Sequence, residues 1–155
     1  MAEQGLSAYS QRELRQLAKA FSLMGDEATD EAKQVAGQMA EYAAKEIRSA
    51  GYERQKAAGA VRKVVDGAKV SKSSKTGRID IGFASQRLSG GGNTRALWAG
   101  LEFGSNRLKQ FPSYSGRYGR GSRGWFIYPT LRKIQPELTK QWEEVADTIV
   151  KKWAN

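Results

Sequence analysis

The stretch from Trp98 to Tyr128, WAGLEFGSNRLKQFPSYSGRYGRGSRGWFIY, constrains the fold more than any other part of this chain. Large apolar residues stand at both ends, and Gly, Ser, Arg and Tyr fill the middle. A stretch of more than about 12 to 15 residues without structure of its own is uncommon in a compact domain and is usually functional or disordered. The pattern predicts a long extended loop held at both ends by hydrophobic anchors, with the rest of the chain as its scaffold. Glu102 follows an apolar run and precedes Phe103-Gly104, so its carboxylate is expected to be partly buried. An unpaired buried carboxylate is costly, so it needs an Arg partner or backbone N–H donors.

The scaffold has to be small. A chain of 155 residues fits one domain with a usable core, since domains commonly hold about 100 to 150 residues. The expectation is a single domain over residues 1–155, with 1–28 as an N-terminal helical extension and 86–124 as flexible, functional loops within it. Cys and His are both absent. That removes thiol catalysis, disulfides, imidazole or thiolate metal sites and every mechanism that needs an imidazole base. The first residues, MAEQGLSAYS, lack a basic segment followed by an apolar one, and no run of about 18 apolar residues occurs. A soluble, unexported protein is expected. The net charge of +10 points to a polyanion or an acidic protein surface as partner.

Several helices are legible. Ser10-Gln11-Arg12-Glu13 reads as a capping box, and Leu14, Leu17, Ala18, Phe21 and Met24 follow at helical spacing, with Gly25 placed to stop the segment. Asp26 to Asp30 offers N-cap candidates and negative charge for the next helix. Its apolar face is Ala32, Val35, Ala36, Met39, Ala43, Ile47 and Ala50, with Gly51 as the expected C-cap. Tyr52 to Asp66 suits a short helix, although Val61 to Val65 would also allow a strand. Thr94 is placed to cap a short helix over Arg95 to Glu102 that buries Leu97, Trp98 and Leu101 and ends at Gly104, although a strand would also fit here. After Pro129, the residues Leu131, Ile134, Leu138, Trp142, Val145, Ile149 and Trp153 form an apolar stripe, with a kink or restart expected near Gln135 because Pro136 lacks an N–H.

Strand signals are fewer. AKVSKSS and RIDIGFAS flank Lys75-Thr76-Gly77, and Ile79, Ile81 and Phe83 alternate with Asp80 and Gly82, which predicts a β-hairpin. Gln86 to Asn93, QRLSGGGN, has the composition of a flexible connector. The aromatic run Trp125 to Tyr128 reads as a strand. The fold class expected is α+β: a small antiparallel sheet with a hairpin packed against the long helix of the N-terminal half and a C-terminal amphipathic helix, plus the long loop.

Gly119 to Gly124 spells G-x-G-x-x-G, but a dinucleotide site requires a strand before it, a helix opening from it and an acidic residue about 20 positions on. Strand-like aromatic sequence follows instead, so no cofactor is expected. Arg87, Arg95, Arg107, Lys109, Arg117, Arg120 and Arg123 face Glu102 alone among acids between Gln86 and Gly124. With Tyr114 and Tyr118 interleaved, this resembles a segment for single-stranded nucleic acid, where cations follow phosphate and rings stack on bases. A protein-docking or solvated loop fits the same residues. Glu102 has no second carboxylate in the loop, so no catalytic residue and no metal ligand is expected.

Trp98-Ala99 leading to Leu101-Glu102-Phe103-Gly104-Ser105, then Gln110-Phe111-Pro112, then Trp125-Phe126-Ile127-Tyr128-Pro129 and an amphipathic helix resembles the neck, or head-to-tail connection, proteins of long-tailed bacteriophages. The likeness implies a small subunit assembled as a homo-oligomeric ring, commonly a hexamer, between the head connector or stopper and the tail terminator or tail tube. Double-stranded DNA passes through the channel of such a ring. It also implies a place in the virion neck, assembly in the host cytoplasm and no membrane partner. The assembly residues it points to are Trp98, Glu102, Phe103, Gly104, Arg107, Phe111, Tyr114, Arg117, Tyr118, Arg120, Arg123, Trp125 and Phe126. A tail terminator capping the tube and a free basic nucleic-acid-binding protein are the alternatives.

Overall fold

The computed structural model describes residues 11–71, 77–82, 84–105, 111 and 123–153, without the side chains of residues 11, 13, 14, 17, 18, 21 and 153. Among these, the chain runs α1 (Gln11–Leu23), α2 (Asp26–Glu53), α3 (Ala58–Asp66), β1 (Lys69–Val70), β2 (Ile79–Asp80), α4 (Thr94–Phe103) and α5 (Tyr128–Trp153). It is mostly helical with a small antiparallel two-stranded hairpin, an α+β arrangement as the sequence predicts. The predicted hairpin is shorter than the alternating pattern implies, with two residues in each strand. Lys75, Thr76 and Phe83, like Ser10 of the expected capping box, lie outside the described residues.

Two compact units emerge. The first comprises Met1–Tyr42, Val70–Arg78 and Lys133–Asn155, and the second Ala43–Lys69 and Ile79–Arg132. The division falls inside α2 and inside α5, so neither unit is one continuous stretch of sequence.

In the first unit, Ala28, Ala32 and Ala36 of α2 are buried with Trp142 and Ile149 of α5, and Met24, Val35, Met39 and Val145 pack around them. A stripe of alanines gives a bulky indole room that larger residues would take. Gly25 ends the preceding helix as expected, with φ +112°. The acidic residues Asp26 and Glu27 fall in the first turn of α2, where the macrodipole favours negative charge. Gly77, at φ +82°, stands so close to α2 that an added Cβ would lie 3.1 Å from the Ala36 carbonyl oxygen.

The second unit has its own core of Ile47 from α2, Val61, Val64 and Val65 from α3, Leu101 from α4, and Phe111, Phe126 and Ile127. Helix α3 packs against α4. The helical reading of Tyr52 to Asp66 holds over Ala58–Asp66.

Four local expectations are corrected. Gly51 does not cap α2, which continues to Glu53; its role is close approach, since a Cβ there would lie 2.6 Å from Cγ1 of the buried Val65. Asn93, not Thr94, caps α4, its side chain accepting from the Ala96 N–H at 2.9 Å. Thr94 is fully buried, and its hydroxyl oxygen accepts from the Gln86 N–H at 2.9 Å. The segment 86–93 is a folded turn instead of a loose connector, closed by a bridge between Arg87 and Asn93 and by the Leu88 N–H donating to the Gly92 carbonyl at 2.7 Å. Finally, of the kink or restart expected near Gln135 the restart is absent, since α5 runs unbroken through Pro136.

The Gly51 contact gives a signed expectation. Alanine in a helix interior gains about 1 kcal/mol over glycine, but overpacking a core commonly costs about 1 to 3 kcal/mol. Val65 is β-branched and stiff, so the clash wins. Gly51→Ala is expected to destabilise the protein by about 1 kcal/mol in urea unfolding, and the same change in a Val65→Ala background is expected to stabilise it.

Candidate functional site

Glu102 lies near the C-terminal end of α4 and is fully buried. Its Oε1 accepts hydrogen bonds from the backbone N–H groups of Trp125 and Phe126, the latter at 2.8 Å. Its Oε2 accepts from Ile127 at 2.5 Å and Tyr128 at 2.8 Å. Four successive N–H groups therefore converge on one carboxylate. These are the donors that lead into α5, and the first N–H groups of any helix lack partners within it. A side chain from α4 thus serves as the N-terminal cap of α5, at the end where the macrodipole favours negative charge.

This geometry corrects the strand expected at Trp125 to Tyr128. Aromatic residues favour strands when their backbone pairs with a neighbouring strand, but here the N–H groups are committed to a carboxylate and α5 begins at Tyr128. Gly124 makes the approach feasible. It has φ +77°, and a Cβ there would lie 2.8 Å from Glu102 Oε1.

Burial pushes the Glu102 carboxyl up from its ordinary pKa, and the four N–H donors pull against that rise. Arg54, at the end of α2, holds its guanidinium 4.0 Å from the centroid of the Trp125 ring. Burial pushes Arg54 down, and the negative charge of Glu102 opposes the fall. Glu102 has two oxygens and four donors, so its lone pairs are taken. A carboxylate in that state is equipped to hold backbone in place.

Some of the other predicted residues lie in the same core. Phe103 sets its ring 5.1 Å from that of Tyr128. Gly104 ends α4 at φ +86°, its N–H donating to the Gly100 carbonyl at 2.8 Å. The Ser105 N–H donates to the Phe111 carbonyl at 2.8 Å, and the buried Phe111 ring fills the space a Cβ on Gly100 would enter. Trp98 packs half-buried against the core, touching the space above Gly82. Arg123 is exposed, and its carbonyl accepts from Arg132 Nη1 at 2.6 Å. Phe126 is 1% exposed. Phe111 and Phe126 are therefore core residues that hold the stretch, not surfaces it presents. Arg107, Tyr114, Arg117, Tyr118 and Arg120 lie outside the described residues.

Sequence reasoning missed Arg54 and Gly124. Nothing local marks Arg54, which meets Trp125 only through the fold; the positive-φ demand on Gly124 was masked by the glycines around it.

Charge is divided unevenly between the units. The second carries fifteen Lys and Arg against five Asp and Glu, whereas the first carries eleven of each. The whole net charge of +10 thus belongs to the unit that contains the Glu102 cage. Among the described residues, no group of three or more acidic side chains is placed to hold a metal ion, and no helix is long and apolar enough to cross a membrane. Comparison with protein-family models, curated proteins and solved structures finds no match to this chain.

The cage predicts a steep response to small changes. Glu102→Ala leaves four donors without an acceptor and is expected to cost about 3 to 5 kcal/mol. Glu102→Gln keeps the shape but turns an NH2 group toward two N–H donors, so a loss of about 2 kcal/mol or more is expected. Urea unfolding followed by circular dichroism measures both. Wild-type stability in the Gln variant would show that the carboxylate is not what holds the two segments together.

Proposed function

We propose that this chain is a structural subunit of the neck of a long-tailed bacteriophage. It forms a homo-oligomeric ring that joins the head connector to the tail and lets double-stranded DNA pass. The observation that carries this reading is the Glu102 cage. It ties Glu102-Phe103-Gly104 to Trp125-Phe126-Ile127-Tyr128, the two ends of the stretch whose order resembles the neck proteins.

Fixing both ends to one carboxylate gives the residues between them a defined root on the core, as a segment that docks on an adjoining subunit requires. Ring subunits meet through heterologous contacts that close by rotation. Segments that order on docking can wrap a large surface at the expense of entropy. Tail termination uses the same kind of ring and differs in its neighbours. A free basic nucleic-acid-binding protein is the second reading, favoured by the concentration of positive charge in one unit.

Solution mass and images test the assembly. Light scattering from micromolar to millimolar protein, at low and high salt, is expected to give a multiple of the protomer mass, with closed rings in electron micrographs. Deleting Ser113 to Ser122 is expected to leave the circular dichroism spectrum helical and to abolish the rings. A single-protomer mass under every condition would overturn the ring.

A further inference from the structure

We propose that the second unit carries a docking face for the phosphate backbone of duplex DNA, built from the C-terminal end of α2, α3 and the folded turn at 86–93. The proposal stands on the placement of described side chains. It needs neither the ring nor any residue between 106 and 122, so a single protomer would display it.

The face is assembled by side-chain contacts. Arg48 and Tyr52 lie one turn apart on α2. The Tyr52 hydroxyl donates to both oxygens of Asp66 on α3, at 2.7 and 2.8 Å, and Arg48 Nε lies 3.7 Å from the same carboxylate. Asp66 is thereby engaged by a phenol and one cation. Arg62, exposed on α3, places its guanidinium 5.3 Å from the centroid of the Tyr52 ring. Lys63 beside it donates to the Arg87 carbonyl at 2.8 Å, which brings its ammonium next to the exposed Arg87. Arg62 and Lys63 both lie on the exposed side of α3, between the buried Val61 and Val64, and they join Arg48 and Arg87 into one cationic group.

Three observations select the occupant. Arginines cover rings in this unit: Arg62 over Tyr52, Arg54 over Trp125 and Arg132 over Tyr128. On this face Tyr52 is the described ring, and with Arg62 over one side of it, it leaves a single position for stacking a base, so contact here is chiefly with phosphate. Second, protein interfaces are anchored by buried aromatic and apolar residues. Among the described residues, the strongly exposed large hydrophobics Leu23, Tyr42 and Val150 belong to the first unit, and Tyr52 alone to the second. An acidic protein would find little to grip beyond charge. Third, duplex DNA offers the densest regular array of phosphates, and non-specific binding to it is almost wholly electrostatic.

Fluorescence anisotropy with a short duplex of mixed sequence tests the face. Four phosphate contacts predict a slope of log K against log salt of about −3.6, or roughly a hundredfold loss between about 50 and 200 mM salt. Arg62→Glu with Arg87→Glu is expected to weaken binding at least about tenfold and to flatten the slope by about 2. The milder pair Arg62→Gln with Arg87→Gln is expected to flatten it equally, with circular dichroism unchanged in both. Lys140→Glu with Lys151→Glu, an equal charge change at exposed positions outside the proposed face, is expected to alter affinity less than the Arg62 and Arg87 pair does. The proposal is overturned by any of three results: no duplex binding at low salt, a preference for single strands, or displacement of the duplex by poly-glutamate at equal charge. Equal losses in the two double-Glu variants would overturn it as well. The solution mass of the bound species reads the ring separately, so the failure of one idea is not confused with failure of the other.

Discussion

A single buried carboxylate governs the second unit. Taking Glu102 out of water is unfavourable unless its lone pairs are satisfied, and leaving the N–H groups at the entrance to α5 inside the protein without acceptors is unfavourable as well. Each problem solves the other. The carboxylate receives four donors, the helix receives its cap, and the chain on either side is fixed in register with α4. The same arrangement dictates its neighbours: Gly124 because a Cβ has no space beside Oε1, Phe126 because the backbone that meets Glu102 carries its ring into the core, and Arg54 because a cation over Trp125 balances the charge beneath it.

Such an arrangement is largely invisible to local sequence rules. Periodicity revealed α2 and α5 because their apolar stripes repeat within each helix: Ala32, Ala36, Ala43 and Ile47 on one, Ile134, Trp142 and Ile149 on the other, are all buried. Gly25 was legible because a left-handed glycine between two helical patterns has few other uses. The need of Glu102 for donors could also be read from its apolar setting. The source of those donors could not, because they come from residues 23 to 26 positions away, and the aromatic run there carries strand propensity that the fold overrides. Gly51 misled for a related reason. A glycine at the end of an apolar stripe reads as a cap, but Val65 approaches so closely that the same glycine is required inside the helix. At Asn93-Thr94 two good capping residues adjoin, and burial of Thr94 against Gln86 decides which one caps.

The division of charge bears on how any partner is met. In the first unit, cations and acids balance, and the described surface includes exposed Leu23, Tyr42 and Val150. In the second, cations outnumber acids, and the described large apolar residues other than Tyr52 are buried or half-buried. Apolar contacts are short-ranged and depend on shape. An array of guanidinium and ammonium groups attracts phosphate over about a Debye length, roughly 10 Å at 0.1 M salt, and tolerates sliding. A surface of the second kind suits a polymer that must move past it, because no single contact demands a fixed register.

Arginine over an aromatic ring makes such a surface more definite than lysine alone would. The ring holds the guanidinium plane by cation–π attraction, worth about 0.5 to 1 kcal/mol at exposed sites, and restricts a side chain that would otherwise lose rotamer freedom on binding. Arg62 over Tyr52 is held in this way, and Tyr52 is itself fixed by Asp66. The chain from Asp66 through Tyr52 to Arg62 therefore passes order from the backbone of α3 to a cation at the surface. A pre-placed cation loses less entropy when it meets phosphate, so the affinity gained per charge is larger than a count of charges alone would give.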